Sequence, residues 1–347
     1  LANEQGNIAI YIKKSIETTE KSFFLLFKIH KIDARRGGNM EKNIKKKKSF
    51  FDYIKKDYEL YLFLAPAIIV VLIFKYIPIY GLVMAFQDFN PMDGYAGSEF
   101  VGLKHFIDFF NDPFAFRVIS NTVILGSLIL VVGFAPPIVL ALSINELSNM
   151  RFKKVVQSIS YLPHFVSTVI IVGMLFRLFS VDGGLINSIL KILGRDTINF
   201  TVLPQWFRPL YILSHLWQSV GWSSILYLAA LTGINPELYE AAYVEGANRF
   251  RRIWHISIPG IAPTIIILLI LNVRVIVNIG LEKVLLMYNP AIYKTADVIA
   301  TYVYRKGILG SNQSYASAIG FFNSVVALLM VLLVNNVARK VSETSLW

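Results

Sequence analysis

Residues 235–263 read NPELYEAAYVEGANRFRRIWHISIPGIAP, and they lie between two long apolar blocks. The segment is polar, yet it is written like ordered structure. Asn235 is a good helix N-cap, and Pro236 suits the first helical position. Glu237 and Glu240 follow, where negative charge meets the positive end of a helix dipole. Ala241, Ala242 and Tyr243 give a compact surface with an aromatic edge. Gly246 can end the helix in a left-handed conformation. Arg249, Arg251 and Arg252 then begin a second short basic segment that leads to Pro259. The pattern predicts a short capped helix held beside a membrane, a shape that fits a groove on a partner. It also suits an interfacial helix resting on lipid headgroups, although such helices usually carry a wide face of Leu and Phe opposite Lys.

The flanking sequence makes the membrane the first commitment. Of 347 residues, 55% are hydrophobic and only 16% charged. The apolar residues fall in blocks long enough to cross a bilayer, which takes about 20 residues of helix. Six spans are expected, at about 60–86, 118–144, 156–179, 210–231, 261–286 and 316–337. Pro136-Pro137 sits inside the second. Prolines there are tolerated where neighbouring helices or water satisfy the freed carbonyls. The fold class is therefore an all-α membrane protein.

Basic residues set the expected orientation. Lys45 to Lys48, Lys55 and Lys56 precede the first span. Arg151, Lys153 and Lys154 lie between spans two and three, Arg249, Arg251 and Arg252 between four and five, and Arg339 and Lys340 after six. All fall on one side of a six-span chain. The positive-inside rule makes that side cytoplasmic, with both termini inside. The net charge of +12 thus reads as topology, and nucleic acid is not an expected partner. With no cysteine, disulfides and thiolate chemistry are excluded. Residues 1–39 are polar and mixed in charge. Met40 precedes the basic run, so the expectation is a start at Met40 and a disordered or normally absent extension before it. The expected divisions are 1–39, a basic segment 40–58, and a membrane domain 59–347 containing the loop 235–259.

The loop carries a resemblance. Glu240-Ala241-Ala242, then Glu245-Gly246-Ala247, then Ile256-Ser257-Ile258-Pro259 resemble the EAA loop of permease subunits of binding-protein-dependent ATP-binding cassette importers. Glu245 stands where Asp is commoner in that family, and Ile258 where Leu is. The likeness extends over most of 55–347 through LYLFLAPA, FKYIPIYGLVMAF, VGLKHF, SYLPHFVS, GLINSIL, VGWSSILYLAAL and SETSLW. These are similar to the oligo- and polysaccharide permease branch of Gram-positive bacteria, of the LplB/YteP type, which points to pectin- or uronate-derived saccharides.

The resemblance implies the type I importer permease fold (MetI-like). It implies a pathway shared with a second permease, two cytoplasmic ATPase subunits, and an extracellular lipid-anchored sugar-binding protein. It assigns ATPase coupling to Glu240, Ala241, Ala242, Glu245, Gly246, Ala247, Arg249 and Pro259. The chain has no Walker A motif and no Gly-Lys dipeptide, so ATP hydrolysis is expected in trans. No cofactor, metal site or catalytic residue is expected.

Polar residues at membrane depth are costly and face protein or water. Arg274, Asn278 and Glu282 recur every four residues and so would share one helical face, with Asn272 nearby. Arg274 and Asn278 could bind sugar hydroxyls or a uronic carboxylate. The same stripe suits a structural network, with Arg274 paired to Glu282 or to another subunit. In the fourth span Trp217, Gln218 and Trp222 offer stacking faces and an amide to a saccharide, and equally the places that tryptophans take in membrane interfaces generally. His164 has no metal partner at ligand spacing. A secondary transporter or channel for small polar solutes is the alternative. Six spans without a detectable internal repeat argue against the former, and a channel leaves the EAA loop unexplained.

Overall fold

A computed structural model describes residues 58–341. The expected extension 1–39 and all of the basic segment but Tyr58 lie outside the described residues, as does the C-terminal SETSLW. The chain divides into two compact units at Leu72. The described part of the first is an apolar helix with no buried residue over Tyr58–Val71. Helical structure continues to Phe86, and we label Tyr58–Phe86 α1.

The second unit is built from helices. They are α2 (Lys104–Asn111), α3 (Ala115–Asn145), α4 (Met150–Phe165), α5 (Thr168–Leu178) and α6 (Leu185–Ile192). Then come α7 (Pro204–Thr232), α8 (Pro236–Val244), α9 (Arg249–Ile276), α10 (Leu281–Met287), α11 (Ile299–Val303) and α12 (Gln313–Val341). A two-stranded antiparallel ribbon pairs Gln87 with Phe100 and Asp88 with Glu99.

Among the described residues, four helices are long and apolar enough to cross a membrane: α1, α3, α9 and α12, each with 28 to 31 residues. The expected third span is instead a broken pair, α4 and α5, bent by 96°. The reason is local. Pro163 lies in a 3-10 turn, and the Ser167 hydroxyl accepts from the Ile170 N–H to cap a new helix. The expected fourth span, α7, has 29 residues and so the length to cross. His215, Gln218 and Ser219 dilute its apolar character, and it falls outside the four. The structure thus gives four spans, or five if the bent pair is one, where six were expected among the described residues.

The expected fifth span, 261–286, is displaced. The helix begins a dozen residues earlier, at Arg249, where the Asn248 side chain accepts from the Arg251 N–H. It ends at Ile276 and restarts at Leu281. The break sits where α3 crosses most closely: a Cβ on Gly126 would collide with the backbone of Val275 and Ile276. Gly221 of α7 plays the same part against the Ser160 carbonyl of α4. The proline pair, by contrast, leaves α3 continuous over 31 residues.

Helix directions follow from the packing. Near their starts, α3 and α7 are joined by Arg208, which donates to Asn121 Oδ1 at 2.9 Å. Near their ends, Ala141, Leu142 and Ile144 share a buried cluster with Tyr227, Leu228 and Leu231. The two helices therefore run parallel. Ile261, early in α9, belongs to that same cluster, while the end of α9 meets Gly126, so α9 runs antiparallel to both.

Candidate functional site

Two features qualify as a site, a cavity between α3, α7 and α9 and the helix α8 at one end of the bundle. The cavity has a volume of about 600 Å³. Its walls include Gly133, Phe134 and Pro137 from α3, Tyr211, His215, Ser219, Trp222 and Tyr227 from α7, and Asn272 and Asn278 from the α9 end. No Asp or Glu lines it. The α3 prolines add to its polarity. A proline cannot donate to the carbonyl four residues back, so Pro136 and Pro137 leave the Val132 and Gly133 carbonyls without that donor, and Gly133 is on the wall. Aromatic faces, hydroxyls, amides and freed carbonyls form a surface suited to a hydroxyl-rich solute rather than to a purely apolar one.

The structure brings Trp222, Asn272 and Asn278 together around this cavity and leaves Trp217, Gln218 and Arg274 out of its lining. The Trp222 ring stacks on His164, with centroids 4.5 Å apart, so His164 serves as a platform behind a wall residue. Gln218 donates to the Val166 carbonyl at 3.2 Å and pins the α4–α5 bend. Trp217 is exposed. The Asn272 amide donates to the Leu268 carbonyl at 2.7 Å, which leaves its oxygen free of that bond.

The shared face expected for Arg274, Asn278 and Glu282 does not form. Arg274 lies in a 3-10 turn, Asn278 in the break and Glu282 in the next helix. Arg274 and Glu282 are both exposed, and they make no ion pair with each other among the described residues. The four-residue spacing holds only on a continuous helix, and the close crossing at Gly126 interrupts this one.

The sequence reading passed over His215 and Ser219, which the α7 face turns to the cavity, and Lys283. Lys283 is buried, and its Nζ stands 5.1 Å from the Tyr211 ring centroid with no hydrogen-bond partner. Its signal was present, since a lysine beside an apolar block is the unusual residue that a scan for buried charge should retain.

At α8 the local expectations hold. The Asn235 side chain accepts from the Glu237 N–H at 3.1 Å. Gly246 has φ +75°, and the Gly246 and Ala247 N–H groups close onto the Tyr243 and Ala242 carbonyls. Glu240, Ala241, Glu245 and Gly246 are exposed, and Ala242 and Ala247 are half-buried. Tyr243 and Val244 are exposed apolar residues at the end of the helix. Arg249 opens α9, and Pro259 lies within that continuous helix rather than before a span. Few bonds tie α8 to the bundle. The Tyr239 hydroxyl meets the buried Ser257 hydroxyl at 3.0 Å. Nearby, Arg252 reaches Glu146 at 3.6 Å.

The opposite end is cross-braced. Asp297 is fully buried, and its Oδ2 accepts from Arg305 at 2.8 Å and Arg117 at 3.2 Å. Asn121 donates to the Asp297 and Lys294 carbonyls. Beside it Tyr302 donates to Asp112 at 2.6 Å. Burial pushes the Asp112 carboxyl up, but Tyr302, the Phe114 N–H and Lys306 together hold it below the ordinary carboxylate value of 3.8.

Residues 133–343, the part that holds α7, α8 and α9, match the family described as binding-protein-dependent transport system inner membrane component. The chain belongs to that family. It is 45% identical over 306 residues to the polygalacturonan/rhamnogalacturonan transport system permease protein YteP of Bacillus subtilis (strain 168), covering 88% of this chain and 95% of the relative. It is 42% identical over 299 residues to protein LplB of the same organism, covering 86% and 94%. Among solved structures it is similar to a chain of a bacterial alginate ABC transporter, crystallised with an alginate pentasaccharide-bound periplasmic protein. That match has a TM-score of 0.78 and 43% identity, and covers 86% of this chain and 100% of that one. The chain is thus a multi-pass membrane permease component with the fold of ABC importer permeases, a transport subunit rather than an enzyme.

Proposed function

We propose that this chain forms the translocation pathway of an ATP-driven importer for oligosaccharides or polysaccharide fragments, uronate-bearing ones among them. The observation that carries this is the cavity of about 600 Å³ walled by Trp222, His215, Ser219, Asn272 and Asn278, in a family whose members serve binding-protein-dependent transport. Sugar C–H faces stack on aromatic rings, and hydroxyls exchange hydrogen bonds with amides and freed carbonyls. The acidic polymers named for YteP and for the alginate transporter support the uronate class.

The assembly takes a second permease, two cytoplasmic ATPases and an extracellular sugar-binding lipoprotein. With the α4–α5 pair and α7 each counted as a span alongside the four apolar helices, the chain crosses six times and both termini lie in the cytoplasm. The parallel run of α3 and α7, with α9 antiparallel, agrees with the parity of the basic loops. In this reading α8 docks on one ATPase through Glu240, Ala241, Ala242, Glu245, Gly246 and Ala247, with Arg249 and Pro259 at its base. Exposed Tyr243 and Val244 and the short length of α8 favour a groove on a protein over lipid.

The test is co-purification followed by reconstitution. Tagged chain expressed with its neighbouring subunits should bring a second permease and an ATPase with it. ATP hydrolysis in liposomes should then rise when a sugar-loaded binding protein is added. A chain that purifies alone and carries solute down a gradient without ATP would overturn the reading.

A further inference from the structure

We infer that Lys283 is the counter-charge that lets the cavity accept a carboxylate, and so sets its preference for acidic sugars. The inference rests on the importer reading above and concerns the same cavity. Lys283 is 7% exposed, and its Nζ has no acceptor. The ammonium stands 5.1 Å from the centroid of the Tyr211 ring, and it lies within electrostatic reach of His215. Both Tyr211 and His215 are wall residues. A cation therefore sits one side chain behind the wall.

Among the described residues no carboxylate neutralises it. The ion pairs of the described residues use Arg117, Arg305, Arg252 and Lys306, and the cavity wall has no carboxylate. An ammonium buried without an acceptor is costly, and a cation–π contact offsets only part of that cost. A fold retains such a group most readily where an anion completes it. Charges interact strongly across low-polarity surroundings, so a sugar carboxylate entering the cavity would be held by Lys283 through the Tyr211–His215 wall, while its hydroxyls meet Ser219, Asn272 and Asn278.

The structural alternative makes the opposite forecast for stability, which makes the idea testable. Lys283→Met keeps the length of the side chain and removes the charge. The complete complex, reconstituted with its binding protein, should be assayed for uptake of trigalacturonate and of its methyl ester, which keeps the skeleton without the charge. Wild type should favour the acid. Lys283→Met should lower acid uptake about tenfold, leave the ester within about twofold, and raise the unfolding temperature of the complex, because an unpaired buried charge has gone. Lys283→Arg should retain the preference for the acid. Equal loss of both substrates, no loss of either, or a Lys283→Met chain that no longer assembles would overturn the inference. A wild-type complex that takes only the ester would overturn it too and leave the importer reading standing. Uptake of neither sugar would overturn it as well, while the importer reading stands or falls on the co-purification and binding-protein-stimulated ATP hydrolysis described above.

Discussion

The two ends of the helical bundle are built differently. At the Asp297 end, one fully buried carboxylate receives two arginines, Asn121 of α3 ties to the Asp297 carbonyl, and Tyr302 of α11 ties to Asp112 just before α3. At the α8 end, a nine-residue helix is exposed along most of its length. Among the described residues, its side-chain hydrogen bond to the bundle is the hydroxyl pair of Tyr239 with Ser257. One end is fixed by charges withdrawn from water. The other presents small and aromatic side chains outward and is only lightly tied. If α8 docks on an ATPase as proposed above, that contrast serves the transporter, because a driven element must move relative to a frame that does not.

The contrast can be broken hardest at Asp297. Asp297→Asn leaves Arg117 and Arg305 facing each other without their shared anion. Removing one partner of a buried pair costs about 3–5 kcal/mol, so denaturant unfolding of the purified chain should show a loss of that size. A loss below about 1 kcal/mol would make the two ends alike.

At the α8 end the expected effects fall on coupling more than on stability. Proline fixes φ near −65°, and Gly246 holds +75°, so Gly246→Pro should destroy the turn that closes α8. Sugar-stimulated ATP hydrolysis in the reconstituted complex should be abolished while the chain still reaches the membrane. Gly246→Ala separates backbone from packing. Its Cβ would meet nothing within 4 Å, so the cost is the left-handed conformation alone, about 1–2 kcal/mol, readable by thermal unfolding.

Tyr239→Phe is milder. It removes the hydroxyl that faces Ser257 and should cost about 1 kcal/mol. Faster hydrogen exchange confined to α8 would sharpen the distinction between the ends, whereas exchange spreading to α3 would blur it.

The smallest effect belongs to Lys306, which is 44% exposed and 3.7 Å from Asp112. Lys306→Gln should change stability by under 1 kcal/mol. The depressed Asp112 carboxyl contributes stability that is present above pH 3.8 and lost as the pH falls below it. The variant should narrow that acid-labile window when unfolding temperature is followed against pH.

How much of this was legible follows the reach of each interaction. The Asn235 cap, Pro236 at the start and the left-handed Gly246 were readable because a cap is settled by residues a few positions apart. The α4–α5 bend was half-legible: Pro163 and Ser167 mark it locally, but an apolar block reads as one span when only its composition is weighed. The interruption at Asn278 was not legible. It is set by Gly126, about 150 residues earlier, and no spacing rule carries that contact. The expected stripe of Arg274, Asn278 and Glu282 failed for this reason. Lys283 is similar, since only the fold shows that its charge lies behind Tyr211.

The helix α9, capped by Asn248 one turn beyond α8, runs unbroken from Arg249 to Ile276 on the cavity side. At about 1.5 Å per residue its 28 residues make a rod about 40 Å long. Tilted by about 10° around its middle, such a rod moves its two ends about 3–4 Å in opposite directions. A small push at Arg249 becomes an opposite swing at Asn272, and with it a change in the width of the passage.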